Sequence, residues 1–271
     1  MTMSECLYEV LETGIGLITF NRPERLNAWT AQMGNEYFAA LDVAEADPKV
    51  RVIVVTGAGK GYCAGADMGT LQAIPTSSSA KSDDGPSIVE GRMQDELVRL
   101  TKPVIAAING AAAGLGMVQA LMCDIRFCSD TAKFTAAFSK RGLIGEYGVS
   151  WILPRLVGPS AALDIMMSSR IVLAEEALSL GMVNKVVPAA DLMEVTLAYA
   201  TALAMDVSPS SMAVMKRQVY SDYNKDVATA SRDALTLMLQ SFTRPDFKEG
   251  VQSFLQKRQA EFPPVSPAIN S

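Results

Sequence analysis

The sequence predicts an α/β core followed by a helical C-terminal part. Residues 52–56 and 104–108 are short apolar runs with β-branched residues, as is typical of buried strands. Each run is followed by glycine-containing turn residues and then by a change towards a helix. From residue 191 onward, the chain is almost entirely helical in pattern. Strands and helices that mix early, with helices that dominate late, favour this fold class.

The N-terminal elements are predicted from turn and capping residues. A hairpin is expected at 6–11 and 15–20, around Thr13-Gly14. Thr30 is expected to cap a helix whose apolar positions have helical spacing, and Asp47-Pro48 is expected to end it. The strand at 52–56 follows.

A glycine loop at residues 57–68 comes after that strand. Residues 73–87 are rich in Ser, Pro, Asp and Gly and predict a loop. It either gates a nearby pocket or is an ordinary surface loop. A helix is expected from about 88 to 100.

The stretch from Lys102 to Asp124 organises the rest of the chain. After the strand at 104–108, Asn109-Gly110 supplies turn chemistry, and small residues lead into a helix that runs to Met122. Such a turn lets another molecule approach helix N–H groups that have no intrahelical partner. With a second N–H from the loop 57–68, it would form an oxyanion hole. The alternative is a Gly/Ala-rich helix packed tightly on a sheet.

Beyond Asp124 the elements follow from periodicity and turn residues. A loop is expected at 142–148. Short strands are predicted at 125–128, 133–135 and 185–187, and helices at 149–157, 159–168, 174–180, 191–205, 208–221, 226–240 and 245–259.

Composition and charge exclude several classes of protein. The chain has 271 residues, of which 49% are hydrophobic, so it can bury a sizeable core. Its net charge of −5 argues against a nucleic acid or an anionic membrane surface as partner. No apolar run approaches the ~20 residues of a transmembrane helix, and we expect no membrane insertion. Residues 1–10 lack the features of a signal peptide, and we expect a cytoplasmic protein with four free cysteines.

The chain contains no histidine, which restricts its chemistry. Ser-His and Cys-His dyads and His-ligated metal sites are excluded. The cysteines show no paired metal spacing, and we expect no metal site. Proton transfer near neutral pH is therefore expected from a carboxylate, or less often from Lys, Tyr or Cys.

Six motifs, in order and spanning nearly the whole chain, resemble the crotonase superfamily, also called the enoyl-CoA hydratase/isomerase superfamily. Each is weak alone, whereas the ordered set is specific for the family but not for one reaction within it. The motifs are Asn21-Arg22-Pro23 with Leu26-Asn27-Ala28, Tyr62 to Asp67, Lys102-Pro103 with Ile108-Asn109-Gly110 to Cys123-Asp124, Leu153 to Gly158, Ala174 to Ala177 with Gly181-Met182-Val183, and Asp246 to Gly250.

The resemblance implies an architecture and a partner. Residues 1–190 are expected to form a spiral of β-β-α repeats with an acyl-CoA site, and residues 191–271 a helical trimerisation region. A homotrimer or a dimer of trimers is expected, because the late helices carry apolar side chains that must pack against something, including Leu192, Leu197, Leu235, Met238 and Leu239. The implied partner is an acyl-CoA thioester, with coenzyme A as part of the substrate and no separate cofactor.

Site residues are assigned by the same resemblance. The two backbone donors that polarise the thioester carbonyl match Ala66 and Leu115. Asp67 is expected to hold its loop or to cap the following helix, and Asp124 to have a similar structural role. Cys63 and Cys123 are expected to pack in the core. The substrate-binding and CoA-binding positions match Arg25, Ala28, Ala64, Asp67, Met68, Gly114 and Lys257.

Basic residues at two places are candidates for contacts with CoA. Arg22 and Arg25 either meet its phosphates or are solvated. Phe254, Lys257 and Arg258 fall where members of the family contact CoA, often across a subunit boundary.

The acidic residues depart from the pattern of well-studied hydratases, which use two glutamates. The matching positions here are Val118 and Phe138. Glu146 remains in the right region, at a position resembling that of the catalytic aspartate of dienoyl-CoA isomerases and some acyl-CoA hydrolases. The alternative is a loop carboxylate that pairs with Arg141 or Arg155.

Three functions remain open at the level of sequence. The first is an enoyl-CoA hydratase/isomerase-type enzyme that uses an oxyanion hole and Glu146 as its single carboxylate base. The second is a crotonase-family acyl-CoA hydrolase, and the third is a non-catalytic acyl-CoA binding protein. Isomerisation is favoured over hydration, since one carboxylate can move a proton between two carbons, whereas holding and splitting a water alone is harder.

Overall fold

The computed structural model describes residues 3–69 and 92–265. The predicted loop at 73–87 lies outside the described residues, as does the beginning of the predicted helix at 88–100. The described strands are β1 (Cys6–Val10), β2 (Ile15–Phe20), β3 (Val52–Gly57), β4 (Gly61–Cys63), β5 (Val104–Ile108), β6 (Ala111–Ala113), β7 (Ile125–Ser129), β8 (Lys133–Thr135), β9 (Val172–Leu173) and β10 (Lys185–Val187).

Helices occupy much of the remaining described chain. The α-helices are α1 (Ala31–Ala46), α2 (Leu115–Met122), α3 (Val149–Val157), α4 (Pro159–Ser168), α5 (Ala174–Ser179), α6 (Leu192–Asp206), α7 (Pro209–Asp222), α8 (Val227–Ser241) and α9 (Pro245–Gln256). Short 3₁₀ helices lie at Pro23–Arg25, Gln94–Arg99 and Ser139–Arg141. The last part of the helix predicted at 88–100 is thus a 3₁₀ helix. Among the described residues, no helix is long and apolar enough to cross a membrane.

The strands form two sheets, and the chain alternates between them. The larger has the order β1-β2-β3-β5-β7-β10, and only β1 is antiparallel to its neighbour. The smaller has the order β4-β6-β8-β9. A strand of the large sheet leads to a strand of the small sheet and then to a helix, as in β5, β6 and α2. This is the predicted α/β spiral of β-β-α turns.

The central strands β3 and β5 of the large sheet are buried on both faces, which is usual for parallel strands. Alternate residues of β3 face opposite ways, so Ile53 and Val55 pack in the cluster with α1 and α2, and Val52 and Val54 in the cluster with α6. Because all residues of β3 are buried, its hydrophobic run is continuous and has no alternating polar positions.

Two sequence expectations about strands and helices are corrected. Residues 111–113, interpreted as part of a turn, are the short strand β6, because β4 and β8 pair with it on both sides. The last helix ends at Gln256, three residues before its predicted end, since Lys257 adopts left-handed backbone with φ +53°. The predicted cap at Thr30 is confirmed, because its hydroxyl accepts from the Met33 amide at 3.0 Å.

The late helices differ in how far the protomer buries them. Leu192 is buried and Leu197 is partly buried against the large sheet. By sequence both are candidates for a subunit interface, and in the structure they pack within the protomer instead. In contrast, Leu235, Met238 and Leu239 are 54%, 46% and 56% exposed on α8, which has no buried residue. The predicted domain division at residue 190 stays a prediction, and α6 shares a hydrophobic core with the strands.

Candidate active site

The two glycine loops of the sequence touch at their backbones. A Cβ on Gly65 would lie 2.7 Å from the carbonyl oxygen of Ala113, and a Cβ on Gly116 would lie 2.2 Å from that of Cys63. Only glycine permits such an approach. The pairing of β4 with β6 places the two loops side by side at the same end of the small sheet.

Two backbone amides at this junction find no acceptor in the part of the chain that the structure describes. The Trp29 amide donates to the Gly65 carbonyl at 2.8 Å, and the Asp67 amide donates to the Trp29 carbonyl at 2.9 Å, so the Ala66 N–H between them points away from this pairing. Leu115 is the first residue of α2, where an N–H has no intrahelical acceptor. Within residues 3–69 and 92–265, neither amide donates a hydrogen bond. Buried N–H groups are normally paired, so this pair can receive an oxygen from a ligand.

Two asparagines fix the backbone around the first loop. The Asn27 side chain accepts from the Arg22 amide and donates to the carbonyls of Ala58 and Gly61, all at 2.8–2.9 Å. Asn109 donates to the carbonyls of Gly59 and Gly61 at 3.0 and 3.1 Å. Asn27 adopts left-handed backbone with φ +57°, which asparagine tolerates better than most residues. Both side chains thereby hold the turn that precedes β4.

Asp67 and Arg22 hold the other end of the loop. The Gly69 amide donates to Asp67 at 2.9 Å, and Arg22 pairs with Asp67 and Glu5, each at 3.1 Å. The bond from the Gly69 amide, followed by that from Arg22, lowers the pKa of Asp67 despite some desolvation. Arg22 also donates to the Ala28 carbonyl at 2.7 Å. Its guanidinium is therefore engaged within the protomer.

The predicted binding residues lie on these same segments, except for Lys257. Arg25 and Met68 are exposed, Ala28 and Ala64 are half-buried, and Gly114 is buried next to Leu115. The Ala64 amide donates to the Leu26 carbonyl at 3.0 Å, which brings the segment 22–28 against the loop 64–68. These residues share one rim of the junction.

Glu146 lies on a loop that meets α2. A Cβ on Gly148 would lie 2.9 Å from the methyl carbon of Met122, about 10 Å along the helix axis from Leu115. Phe138 links this loop to the junction, because its ring faces Gly114 and its carbonyl accepts from the Leu143 amide at 3.1 Å. Glu146 is half-buried, and desolvation raises its pKa.

The ion pairs considered for Glu146 do not form. Arg141 donates to the Ala137 carbonyl at 2.8 Å, and Arg155 donates to the Trp151 carbonyl and stacks on the Trp151 ring. In the described part of the chain, Glu146 has no salt bridge. Among the described residues, no ion pair therefore opposes the rise in the pKa of Glu146 that its burial produces.

The thiols and the second aspartate are structural. Burial raises the pKa of Cys63 and of Cys123 to about 12, so neither is a thiolate near neutral pH. Asp124 accepts from the Val104 amide at 2.7 Å and pairs with Lys216 at 2.8 Å. It therefore joins the end of α2 to β5 and α7.

Comparison with known proteins identifies the family. Residues 11–264 match the family model described as Enoyl-CoA hydratase/isomerase. The chain belongs to the enoyl-CoA hydratase/isomerase family.

Individual members of the family match the chain over nearly its whole length. It is 36% identical to 1,2-epoxyphenylacetyl-CoA isomerase of Escherichia coli K12, over 96% of this chain and 99% of that protein. It is 32% identical to a probable enoyl-CoA hydratase of Mycobacterium bovis, over 92% and 94%. A solved probable enoyl-CoA hydratase/isomerase from Mycobacterium abscessus matches with a TM-score of 0.86 and 28% identity, over 96% and 99%. Another, an enoyl-CoA hydratase from Mycobacterium marinum, is 48% identical with a TM-score of 0.69, over 84% and 100%.

In this member of the enoyl-CoA hydratase/isomerase family, Lys257 makes no hydrogen bond or ion pair with the loops of the junction among the described residues. It lies at the end of α9, and the following segment reaches Arg51, whose guanidinium donates to the Phe262 carbonyl at 2.7 Å. Arg51 precedes β3, whereas the glycine loop follows the other end of that strand, about 17 Å away. The neighbouring Arg258 pairs with Glu249 at 2.6 Å.

Proposed function

We propose that this protein is an enzyme that binds an acyl-CoA thioester and moves a proton between two of its carbons, as an enoyl-CoA isomerase does. The observation that carries the proposal is the backbone contact between the loop with Ala66 and the start of α2 with Leu115, two residues whose amides donate no hydrogen bond within the described residues. These amides would donate to the thioester oxygen and stabilise the enolate formed when a proton leaves. Each such donor is worth about 3–4 kcal/mol of transition-state stabilisation.

Glu146 is the proposed base. Its raised pKa brings it closer to the pH at which a group that takes a proton can return it. Val118 and Phe138, at the positions that we match to the two hydratase glutamates, are buried and apolar. A site with one acid suits proton transfer between carbons, whereas hydration would require that acid alone to position and split a water. The names of the relatives do not decide the reaction, since the Escherichia coli relative is named as an isomerase of an epoxide and several others are named hydratases.

The outer part of the substrate would lie along the rim that contains Arg25, Ala28, Ala64 and Met68. Arg25 is the candidate for a phosphate of CoA, since Arg22 already pairs with Glu5 and Asp67. Lys257 is the candidate for a contact with CoA from a neighbouring subunit. No metal or separate cofactor takes part in this proposal.

We also propose a homotrimer or a dimer of trimers built through residues 191–271. The support is the exposed apolar surface of α8, together with Phe254 and Leu255 on α9, which are 82% and 73% exposed. Apolar surface of this extent marks an interface more often than a solvated face.

A panel of 2-enoyl-, 3-enoyl- and dienoyl-CoA thioesters tests the activity. Migration of a double bond supports the proposal, and replacing Glu146 by Gln should then lower turnover by roughly 10²–10⁴-fold. Affinity for the thioester should stay nearly unchanged, because the substitution keeps the shape. Wild-type turnover by Glu146→Gln would make Glu146 only structural.

Hydrolysis is the second candidate, because Glu146 is only half-buried and water can reach it. Release of free CoA in the same panel would favour this reaction. Tight binding of every thioester without turnover would instead indicate an acyl-CoA binding protein.

A further inference from the structure

A buried polar unit lies directly behind the junction of the two loops. Every residue of α2 is buried, and Gln119 is its one polar side chain. A buried amide is unfavourable unless it is hydrogen-bonded. The Gln119 carbonyl oxygen accepts from the Tyr62 hydroxyl, and its NH₂ group donates to the Tyr37 hydroxyl at 2.8 Å. Both tyrosines are fully buried.

The unit joins the two elements that carry the amide donors. Gln119 follows Leu115 by four residues, which is about one turn and the same face of α2. Tyr62 lies in β4, four residues before Ala66. The bond between Gln119 and Tyr62 therefore spans from the helix with one donor to the strand that leads to the other.

Helix α1 braces both sides. Tyr37 of α1 receives the bond from Gln119, and Trp29, two residues before α1, pairs with Gly65 and Asp67 through its backbone. Hydrogen bonds fix distance and direction, whereas apolar contacts permit sliding, so a satisfied buried network rigidifies its surroundings.

We infer that Gln119, with Tyr62 and Tyr37, is a positioning unit that sets the separation of the Ala66 and Leu115 amides. This inference rests on the proposed oxyanion hole. None of the three side chains needs to touch the substrate, so they act through the two donors. Interactions made only with the developing enolate would weaken when the separation changes, while ground-state binding through the rest of CoA would persist.

The test uses Tyr62→Phe, which removes one hydroxyl, and Gln119→Met, which keeps an unbranched side chain of similar length. The probe is butyryl-CoA with ¹³C at the thioester carbonyl, whose stretching frequency in the infrared falls when the oxygen accepts hydrogen bonds. Turnover of the substrate found in the thioester panel and the Kd of butyryl-CoA are measured alongside.

Two variants serve as matched controls. Tyr8→Phe removes a buried tyrosine hydroxyl that has no hydrogen-bond partner among the described residues. Tyr220→Phe removes a hydroxyl that donates to Asp124 at 3.0 Å, beyond the far end of α2 from Leu115. Both keep the wild-type carbonyl frequency if only the unit around Gln119 matters.

We expect wild-type protein to lower the carbonyl frequency of bound butyryl-CoA. Tyr62→Phe and Gln119→Met should each lower this frequency by clearly less than the wild type does. Turnover should fall by roughly 10–100-fold with Kd within about threefold, in line with misplacement of part of an oxyanion hole. The double variant should match Gln119→Met alone, because both disrupt the same bond. If Gln119→Met does not fold, Tyr62→Phe alone decides.

Two results would overturn the inference in distinguishable ways. If wild-type protein leaves the carbonyl frequency unchanged, the proposed oxyanion hole is wrong and the positioning unit falls with it. If wild-type protein lowers the carbonyl frequency and Tyr62→Phe and Gln119→Met lower it equally, the oxyanion hole stands and Gln119 is an ordinary core residue. The same conclusion follows if the two control variants lose as much of the frequency shift and of the turnover as Tyr62→Phe and Gln119→Met do.

Discussion

The close approach of α2 to β4 can be tested at one atom. Gly116→Ala adds a single methyl group beside Leu115. That carbon would lie 2.2 Å from the Cys63 carbonyl oxygen, 2.7 Å from its Cβ and 2.8 Å from its carbonyl carbon. Carbon–oxygen contacts in proteins are about 3.3 Å or longer, so the two backbones must separate by about 1 Å. Backbone atoms on one side leave no flexible side chain to absorb the change.

The expected result is a large loss of turnover with a smaller loss of stability. Displacement of α2 by about 1 Å moves the Leu115 amide away from Ala66, and misplacement of that size costs about 10²-fold in rate. Overpacking in a core typically costs 1–3 kcal/mol of unfolding free energy, so much of the protein should still fold. Turnover on the panel substrate and urea unfolding measure the two effects separately.

Gly250→Ala is the matched control. Gly250 also lies in a helix, but its added Cβ would meet the Phe262 ring at 3.7 and 3.8 Å, which is ordinary contact. Alanine has the higher helix propensity by up to about 1 kcal/mol, so this variant should be as stable as the wild type or more so, with normal turnover. Wild-type turnover by folded Gly116→Ala would refute the tight junction on which the site depends.

Three further predictions concern the turn residue Asn27, the candidate base Glu146 and the exposed helix α8. Asn27→Ala should lower the unfolding free energy by about 3–4 kcal/mol in urea titration. The Arg22 amide and the Ala58 carbonyl lose the Asn27 side chain as partner, the Gly61 carbonyl keeps its bond from Asn109, and alanine must adopt φ +57°. A loss below about 1 kcal/mol would contradict this. Burial raises the folded-state pKa of Glu146, so ionisation of Glu146 opposes folding, and Glu146→Gln should raise the Tm at pH 7. This gain in Tm should vanish below the unfolded-state pKa of about 4.3, because Glu146 is then protonated in both states. An equal gain at pH 3 would exclude ionisation as the cause. Leu239→Glu on exposed α8 should lower the mass measured by light scattering towards that of a single chain. The control Glu9→Gln, on the exposed edge strand β1, should leave the mass unchanged. An unchanged mass for Leu239→Glu would remove α8 from the interface.

The sequence predicts the long elements and the short strands β8 and β10, but it misses the short strands β4, β6 and β9. The strands β3 and β5 and the helices from 191 onward are long enough for their apolar patterns to be read. The strands β4, β6 and β9 have two or three residues each and owe their conformation to partners far along the chain. Residues 111–113 are all alanine, which has low strand propensity, yet pairing on both sides makes them a strand.

In the candidate site, too, the sequence indicates some features and leaves others to the structure. The motifs indicate two loops and the candidate donors Ala66 and Leu115, because small residues and helix starts leave a pattern in sequence. Within residues 3–69 and 92–265 these amides donate no hydrogen bond, and this depends on the pairing of Trp29 and on the close packing at Gly65 and Gly116, which no local pattern encodes. Likewise, the pairing of Arg22 with Glu5 joins residues on separate segments. A glutamine within an apolar helix was the one local signal of the unit behind the site, and only the structure shows its tyrosine partners.

The structure of Glu146→Gln bound to a 3-enoyl-CoA thioester is the most direct test of the proposed mechanism, since the substitution should hold the substrate without turnover. The proposed mechanism predicts that the thioester oxygen lies about 2.9 Å from the amide nitrogens of both Ala66 and Leu115. It also predicts that the side chain at position 146 lies within about 4 Å of the carbons that exchange the proton. A thioester oxygen more than ~3.5 Å from both nitrogens, which is beyond a hydrogen bond, would contradict it.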